Sequence, residues 1–339
     1  MRKLKFAVVG CGQIARERMI PAILNSEKAE LVALVDVDQK VVRDTADLCN
    51  IRHYSSNLKD VFDKDLVDAV YVSAPNYLHC DITVKAAAAG KHVLCEKPMA
   101  TNLDDGKRMI ESCKKNGVKF MVAYMSRFNE ANVKAKKLIA EGIIGKPTII
   151  KSEFAFVKAH RSNNDWRLDP KRAGGGCLYD IGVYPIDFVN FLLDEQIVEV
   201  MAITGNIRFN YSVEDTVIAS FKLSKGAMGD LVCGYCVKIP STFEVYGTEG
   251  SLILKEPFNQ YPNAKLQLNC GDREEKYQVG LNTAPFACYQ REVEYFCECV
   301  EQNKEPIPNG EVGLYAIKVI DAIYKSAQSR KSVVVTKDI

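Results

Sequence analysis

The first third of the chain alternates short apolar runs with helix-length amphipathic segments, and this rhythm restricts the fold more than any other feature. The apolar runs lie at residues 6–9, 31–35, 69–72, 92–95 and 120–123. Helical patterns separate them, such as the one that ends at Gly90. Continuous apolar strands that alternate with helices are typical of a parallel sheet covered on both faces. The sequence therefore predicts an N-terminal α/β domain with a doubly wound parallel sheet.

After about Tyr124 the rhythm changes, and strand-like segments punctuated by Gly, Asn and Asp predominate. Turn residues between short strands favour antiparallel pairing. A chain of 339 residues is long enough for two domains. We therefore expect a first domain over residues 1–124. The second, over residues 125–339, is expected to be an α+β domain with a large, mostly antiparallel, open-faced sheet.

A glycine pattern follows the first apolar run and opens a helix. Gly10 allows a tight turn, Gly12 lets the backbone approach a pyrophosphate, and Ala15 lets the helix pack close to the strand. The free N–H groups and the dipole of a helix N-terminus favour a bound anion. The pattern predicts a Rossmann dinucleotide-binding domain in which Gly10, Gly12, Gln13 and Ile14 contact the cofactor.

Asp36 ends the second strand, a little beyond the position expected for the acid that binds the cofactor ribose. A carboxylate there accepts hydrogen bonds from the ribose hydroxyls and repels a 2′-phosphate, which favours NAD over NADP. Asp38 is an alternative for the same role, and Asp36 can also be read as a plain strand-terminal turn acid. Lys40 and Arg43 leave an opening for NADP, because a nearby cation can accept the phosphate.

The run at residues 69–72 is followed by Ser73, Ala74, Pro75 and Asn76. Ligands of such sheets bind beyond the carboxyl ends of the strands, so we expect these four residues to lie along the cofactor. An ordinary proline-marked turn is the alternative, and for Asn76 the two readings are equally supported.

Glu96 and Lys97 follow the next strand, at the same edge of the predicted sheet. A lysine ammonium can hydrogen-bond a substrate hydroxyl and stabilise the alkoxide that forms as hydride leaves carbon. Without the other motifs, Glu96 and Lys97 would indicate only an ordinary exposed loop. Because the chain also carries a cofactor pattern, we expect Glu96 and Lys97 to line the cofactor site and Lys97 to take part in chemistry.

Three glycines at residues 174–176 precede a helix that carries Asp180 and Tyr184. Residues four apart share one helix face. A tyrosine beside a lysine and a carboxylate is a workable acid/base group, since a cation lowers the pKa of the phenol. A helix-terminal acid with a half-buried tyrosine is the alternative for these two residues alone.

Composition excludes several classes of function. The net charge of +2, without a local Lys/Arg run, gives no basic surface for nucleic acid. No apolar stretch is long enough for a bilayer span, and the N-terminus lacks a signal-peptide core, so we expect a cytoplasmic protein. The four histidines are scattered, which predicts no metal site. The C-x-x-C pair Cys233 and Cys236 lies in a strand-like run, which is the wrong context for redox chemistry.

Further segments complete a recognisable pattern. They are residues 124–128 (YMSRF), Trp166 with Arg167, His79 after the Ser-Ala-Pro segment, and residues 244–250 (EVYGTEG). Together with the motifs above, they resemble the Gfo/Idh/MocA oxidoreductases, named for glucose–fructose oxidoreductase and inositol dehydrogenase. The resemblance covers nearly the full length of the chain.

The resemblance implies site residues as well as a fold. It implies Lys97 and the residue four after Asp180 as the catalytic pair, His79 at the cofactor, and Arg127, Trp166 and Arg167 in the substrate pocket. Many members carry His where this chain has Tyr184. Tyrosine there resembles the branch with glucose–fructose oxidoreductase, dihydrodiol dehydrogenase and some xylose dehydrogenases.

We interpret the chain as an NAD-dependent dehydrogenase or ketoreductase, with NADP less favoured. Its substrate would be a carbinol carbon of a sugar, sugar derivative or cyclitol. Lys97 and Tyr184 would manage the hydroxyl proton while Asp180 orients them. One alternative is an NAD-dependent enzyme that cleaves glycosides through transient oxidation, and another is a non-catalytic NAD-binding regulator.

The late strands also bear on assembly. They alternate apolar and polar residues poorly, as in residues 217–219 (VIA) and 231–233 (LVC). Both faces of that sheet therefore need cover, and a two-fold partner presenting the same face would supply it. We expect a homodimer or homotetramer.

Overall fold

The computed structural model describes residues 2–62, 66–159, 165–278 and 283–336. The chain divides into two units by its internal packing. The first unit is Met1–Met125 with Ala284–Leu314, and the second is Ser126–Thr283 with Tyr315–Ile339. The predicted division into residues 1–124 and 125–339 differs from these units, because a late segment of the chain returns to the first one.

The strands are β1 (Leu4–Val9), β2 (Ala29–Val35), β3 (His53–Ser55), β4 (Ala69–Val72), β5 (His92–Glu96), β6 (Phe120–Ala123), β7 (Pro147–Ala155), β8 (Ile197–Gly205), β9 (Thr216–Leu223), β10 (Met228–Gly234), β11 (Ile239–Gly247), β12 (Gly250–Lys255), β13 (Lys265–Cys270), β14 (Arg273–Gln278) and β15 (Val333–Val334). The α-helices are α1 (Ile20–Leu24), α2 (Gln39–Cys49), α3 (Lys59–Phe62), α4 (His79–Ala88), α5 (Leu103–Lys115), α6 (Glu130–Ala140), α7 (Pro170–Ala173), α8 (Val183–Leu193), α9 (Ala287–Glu301) and α10 (Gly310–Ser329).

Short helical turns accompany these elements. Three are 3₁₀ turns, at Asn76–Leu78, Met125–Phe128 and Trp166–Leu168, and two are π-helical turns, at Ala15–Met19 and Leu178–Gly182. Within the described ranges, no helix has both the length and the apolar character that a bilayer crossing requires.

The first unit contains a six-stranded parallel sheet in the order β3-β2-β1-β4-β5-β6. Every residue of β4 and β6 is buried, which explains why these strands are continuous apolar runs. The strand order reverses its direction between β1 and β4. In sheets of this kind the crevice at that reversal, beyond the carboxyl ends of the strands, is where dinucleotides bind. The predicted doubly wound N-terminal fold is confirmed.

The late segment Ala284–Leu314 completes the first unit. The ring of Phe296 in α9 lies 6.1 Å from the ring of Phe6 in β1. At the edge of the sheet, the backbone N–H of Val122 in β6 donates to the carbonyl of Pro308 at 2.9 Å. The segment therefore covers one part of the sheet core and satisfies an edge strand that would otherwise present unpaired backbone groups.

The second unit contains a nine-stranded sheet in the order β14-β13-β12-β11-β7-β10-β9-β8-β15. Only β7 and β10 pair in parallel among these described strands, so the sheet is mostly antiparallel, as predicted. One face packs under helices, as where the rings of Phe188 in α8 and Phe243 in β11 lie 5.5 Å apart.

The opposite face of this sheet is open within the second unit. It carries large apolar side chains in register, since Met228 pairs with Ile149 and Ile203 pairs with Ile218. All four are exposed by about half or more, with Ile203 at 77%. Strand β9 alternates buried and exposed residues, yet Ile218 occupies an exposed position. The sheet is therefore open-faced, as predicted.

Candidate active site

The turn after β1 is shaped by Gly10. Its φ of +96° lies in the region that favours glycine, and a Cβ there would lie 2.6 Å from the backbone nitrogen of Ala74. A Cβ on Gly12, in contrast, would meet no described atom within 4 Å. The backbone at Gly12 thus faces open space at the start of the π-helical turn Ala15–Met19, which fits a cradle for a pyrophosphate.

Asp36 anchors this turn. One of its carboxylate oxygens accepts from the backbone N–H of Cys11 at 2.7 Å, and the other accepts from that of Asp38 at 2.9 Å. The alternative acid, Asp38, caps α2 by accepting from the backbone N–H groups of Lys40 and Val41. Both carboxylates thus accept backbone N–H groups, and the predicted role of Asp36 at a cofactor ribose stays a prediction.

The loop after β4 is fastened to the turn after β1. The Ser73 hydroxyl donates to the carbonyl of Gly10 at 2.7 Å, and the Ser73 backbone N–H donates to Val9 at 2.8 Å. Pro75 then leads into the 3₁₀ turn that starts at Asn76. The two loops predicted to line the cofactor are held together at the strand-order reversal.

His79 joins the loop after β4 to the loop after β5. Its Nε2 lies 2.8 Å from the carbonyl oxygen of Ala74, and its Nδ1 lies 2.9 Å from that of Pro98. The ring is 1% exposed. Burial lowers the pKa of His79, and the two carbonyl contacts oppose part of that change. This burial favours a bracing role for His79, so its predicted direct contact with the cofactor stays a prediction.

Glu96 and Lys97 lie at the end of β5, as the sequence indicates. The Tyr71 hydroxyl donates to one oxygen of Glu96 at 2.5 Å, and the Lys97 backbone N–H donates to the other at 3.2 Å. Burial raises the pKa of Glu96, although the Tyr71 hydrogen bond and the Lys97 charge oppose that rise. Lys97 itself is half-buried. Glu96 thus fixes the backbone from which the lysine side chain extends.

In the second unit, Glu214 holds the glycine segment at residues 174–176. Its half-buried carboxylate accepts from the backbone N–H groups of Gly176 and Leu178, both at 3.0 Å, and from the Tyr324 hydroxyl at 2.9 Å. A Cβ on Gly176 would lie 2.0 Å from the carbonyl oxygen of Glu214. Burial raises the pKa of Glu214, and these hydrogen bonds oppose the rise. The sequence analysis did not find this anchor.

Asp180 lies in the π-helical turn Leu178–Gly182, which leads directly into α8. Turns of this kind occur often at functional sites. One oxygen of Asp180 accepts from the Lys158 ammonium at 2.5 Å and from the Tyr235 hydroxyl at 2.8 Å. Burial and the Asp180 charge raise the pKa of Tyr235 well above its ordinary value, so its hydroxyl stays a donor.

Tyr184 follows in the first turn of α8 and is 7% exposed. Its ring stacks on Phe258 at a centroid distance of 5.8 Å and lies 6.4 Å from Phe154. The aromatic packing fixes the direction of the phenol. Asp180 and Tyr184 thus lie on consecutive helical segments with different described partners, and their predicted common face stays a prediction.

The three residues predicted for the substrate pocket differ in their surroundings. The Arg127 guanidinium donates to both oxygens of Asp187, at 2.8 and 2.6 Å, and its side chain is 4% exposed. This favours a structural role for Arg127. Trp166 and Arg167 form a 3₁₀ turn in which the guanidinium lies 4.4 Å from the indole centroid, and the Arg167 side chain is 47% exposed. Their predicted contact with substrate remains a prediction.

Lys158 and Tyr235 are functional candidates that the sequence analysis missed. Tyr235 lies inside the C-x-x-C segment, whose cysteines diverge: the Cys233 sulfur is 4.0 Å from that of Cys177, and the Cys236 sulfur is 3.1 Å from the Thr216 hydroxyl. In that segment the residue that marks a candidate functional position is Tyr235, between the two cysteines. In the part of the chain that the structure describes, no cluster of His, Cys, Asp or Glu could hold a metal ion.

The glycine turn after β1 lies where the strand order reverses, and Lys97 follows β5 of the same sheet. The second unit adds a large open sheet. These features are typical of a dinucleotide-dependent oxidoreductase. Residues 4–124 match the family model described as an oxidoreductase family with an NAD-binding Rossmann fold. Residues 132–253 match the GFO/IDH/MocA C-terminal domain.

Individual relatives extend the match to the whole chain. The 1,5-anhydro-D-fructose reductase of Ensifer adhaerens is 31% identical, over 95% of this chain and 96% of its own length. The D-xylose 1-dehydrogenase (NADP(+)) of Haloarcula marismortui is 29% identical, over 97% of this chain and 92% of its own length. A crystal structure of aldose-aldose oxidoreductase from Caulobacter crescentus superposes with a TM-score of 0.91 and 31% identity, covering 98% of this chain and all of that one.

The chain belongs to the Gfo/Idh/MocA family of oxidoreductases. The predicted family and the predicted enzyme class, an NAD(P)-dependent oxidoreductase, are confirmed. For the cofactor, the comparisons confirm a nicotinamide dinucleotide.

Proposed function

We propose that the protein transfers a hydride between NAD and a carbinol carbon of a sugar, sugar derivative or cyclitol. The observation that carries the proposal is the linkage of loops in the first unit. Ser73 ties the loop after β4 to the Gly10 turn, and His79 joins that loop to the one bearing Lys97. The lysine is thus built into the same framework as the cofactor cradle.

When bound, the nicotinamide supplies the hydride acceptor or donor, and the chain's own residues manage the hydroxyl proton. Lys97 Nζ donates a hydrogen bond to the substrate oxygen and stabilises negative charge as it develops there. Tyr184 gives up its own proton to solvent beside the Lys97 charge, and as a phenolate its Oη accepts the hydroxyl proton during oxidation; as a phenol it returns that proton during reduction. Asp180 orients the donors around it. Half-buried Glu96 and Glu214 fix the backbone segments that carry these groups.

We assign the cofactor preference to NAD. Support comes from Asp36, whose carboxylate is fixed at the end of β2, where it repels a 2′-phosphate. The test compares kcat/KM with NAD and NADP for wild type and for Asp36→Ala. The preference for NAD should be present in wild type and eroded in the variant. A wild-type enzyme that works better with NADP, as the name of the haloarchaeal relative would suggest, contradicts the assignment.

We also propose a homodimer or homotetramer in the cytoplasm. The open sheet face with Ile149, Ile203, Ile218 and Met228 supports self-association, since a two-fold partner presenting the same face would bury it. Among the described residues no cysteine lies in a disulfide, which is compatible with a reducing compartment. Light scattering at micromolar concentration tests the assembly, and a particle of 37.8 kDa would contradict it.

The decisive experiment on function is a screen of sugars and cyclitols with NAD and with NADP, following the reduced cofactor by absorbance. Accumulation of reduced cofactor with at least one sugar supports the proposal. Consumption of a glycoside without reduced cofactor would point instead to cleavage by transient oxidation. Tight NAD binding with no turnover of any candidate in either direction would point to a regulator.

A further inference from the structure

The loop after β12, residues 256–259, carries an aromatic ring into the core of the second unit. Its first residue, Glu256, has a φ of +57°, in the left-handed region that residues with a side chain rarely adopt. The Glu256 backbone N–H donates to the carbonyl of Ser241 at 2.8 Å, and the N–H of Asn259 donates back to Glu256 at 3.3 Å. Such a conformation persists only where the surrounding structure holds it. The turn directs Phe258, which is 2% exposed, inward.

Asn132 in α6 also holds this loop. Its amide nitrogen donates to the carbonyl of Pro257 at 2.9 Å and to that of Ser126 at 2.8 Å, and the residue is 0% exposed. Among the residues that the structure describes, none donates a hydrogen bond to its buried Oδ1, and an unsatisfied buried oxygen lowers stability. The two donated bonds offset part of that loss, and one of them fixes the carbonyl that directly precedes Phe258.

Phe258 packs against the side of α8 that bears Tyr184. Its ring stacks on the Tyr184 ring at a centroid distance of 5.8 Å, with 20° between the planes, and it meets the Phe188 ring edge-on at 4.8 Å. Tyr184 and Phe188 are four residues apart in α8, so they share one face of the helix. Phe258 therefore covers the first turn of α8 and limits how far the Tyr184 ring can tilt.

We propose that Asn132 is a positioning residue, which sets the direction of the Tyr184 phenol through Pro257 and Phe258. This rests on the proposed function, in which Tyr184 transfers the hydroxyl proton. A misplacement of about 1 Å can lower a rate by about 10² fold. Loss of the two bonds that Asn132 donates should therefore lower kcat by about 10- to 100-fold. The KM for NAD should not change, because the glycine turn after β1 belongs to the first unit.

The experiment measures kcat and KM of the full-length enzyme with NAD and the best sugar from the screen. Asn132→Leu removes both donors and has a side chain of similar size, whereas Phe258→Leu removes the ring and keeps the bond to the Pro257 carbonyl. Each should lower kcat by about 10- to 100-fold. The double variant should be no slower than the slower single variant, because both changes interrupt the same path. A double variant slowed by the product of the two losses contradicts the proposal.

The Tyr184→Phe background separates positioning from a general structural role. Without a phenol to direct, Asn132→Leu should leave the residual kcat of Tyr184→Phe unchanged. A loss as large as in the wild-type background contradicts the proposal, because the amide would then act on something other than the phenol.

The matched control is Ser326→Ala in the same unit. The buried Ser326 hydroxyl donates to the carbonyl of Lys331 at 2.6 Å and accepts from the N–H of Ala202 at 3.0 Å, so this change also removes two hydrogen bonds to the backbone. Ser326→Ala should lower stability in urea and leave kcat unchanged. If it lowers kcat as much as Asn132→Leu does, the loss of any buried hydrogen bonds suffices and the proposal fails.

The outcomes also separate this proposal from the proposed function. If Asn132→Leu does not fold, Asn132→Ser, which keeps one hydroxyl donor, takes its place, and an unchanged kcat of Phe258→Leu contradicts the proposal in either case. A wild-type enzyme that turns over no sugar with either cofactor contradicts the proposed function itself. Multiplied losses in an enzyme that does turn over sugars contradict only the role of Asn132.

Discussion

The substitution Arg127→Met tests whether Arg127 serves stability or substrate binding. Its guanidinium makes two hydrogen bonds to Asp187, whose side chain is 0% exposed. Removing one partner of a buried pair leaves an uncompensated charge and costs about 3–5 kcal/mol. For a unit of this size, each kcal/mol lowers Tm by about 2–4 °C. We expect the second unit of Arg127→Met to melt roughly 10 °C lower than in wild type.

The loss should depend on pH in a defined direction. Burial already raises the pKa of Asp187, and Arg127 opposes that rise. Removing the arginine raises this pKa further. A carboxyl whose folded-state pKa exceeds its unfolded value gives stability that is present at low pH and lost as pH rises. The free-energy difference between wild type and Arg127→Met should therefore be largest near neutral pH and shrink as pH falls toward the ordinary carboxyl range, about 4.

The assay is urea unfolding followed by tryptophan fluorescence, because the single tryptophan of the chain, Trp166, lies in the second unit. The control is Lys137→Met, which breaks an exposed ion pair with Glu141 in the same unit and should cost under about 1 kcal/mol. The double variant Arg127→Met/Asp187→Leu should regain most of the loss. If the double variant is stable yet loses sugar affinity while NAD binding persists, Arg127 contacts substrate and the structural reading is wrong.

Four further substitutions, at three residues, test the assigned roles. Lys97→Met should abolish turnover while NAD binding survives within a few fold, and a variant keeping most of its kcat would remove Lys97 from the mechanism. Tyr184→Phe should lower kcat by about 10²–10⁴ fold. Tyr184→His should keep some activity and shift the pH profile of activity to lower pH. Near wild-type activity of Tyr184→Phe would mean that Tyr184 only lines the pocket. Glu214→Gln should lower kcat without changing NAD affinity, because the backbone N–H groups of Gly176 and Leu178 lose a charged acceptor. An unchanged kcat would mean that Glu214 does not position the site.

Much of the first unit could be predicted because its strands are buried on both faces. The strands at residues 69–72 and 120–123 coincide with the predicted apolar runs. Strand β3 was not predicted from the sequence, because it is only three residues long, largely exposed and without an apolar run. The return of residues 284–314 to the first unit was not predicted for a different reason. Helix α9 has an ordinary amphipathic pattern, and that pattern does not indicate which sheet the helix covers.

The candidate site was predictable where a residue type and its place in the chain coincide. Lys97 at the end of β5 and Asp36 at the end of β2 are such cases. Lys158 and Glu214 were not predictable, because each acts through pairing between distant strands or loops, and a lone lysine or glutamate in a sequence has no such context. For Arg127 the sequence supports two roles, since an arginine in a family motif can equally neutralise a buried aspartate as bind a sugar, and its predicted contact with substrate stays a prediction.

The return of residues 284–314 to the first unit has a consequence for biosynthesis. The first 125 residues leave the ribosome well before Phe296, which packs on Phe6, and before Pro308, which accepts from Val122. A domain formed of one continuous stretch can fold during synthesis as soon as it emerges. Here the first unit is complete only after residues 284–314 have been made, and an N-terminal fragment ending at 125 would emerge with part of its core uncovered.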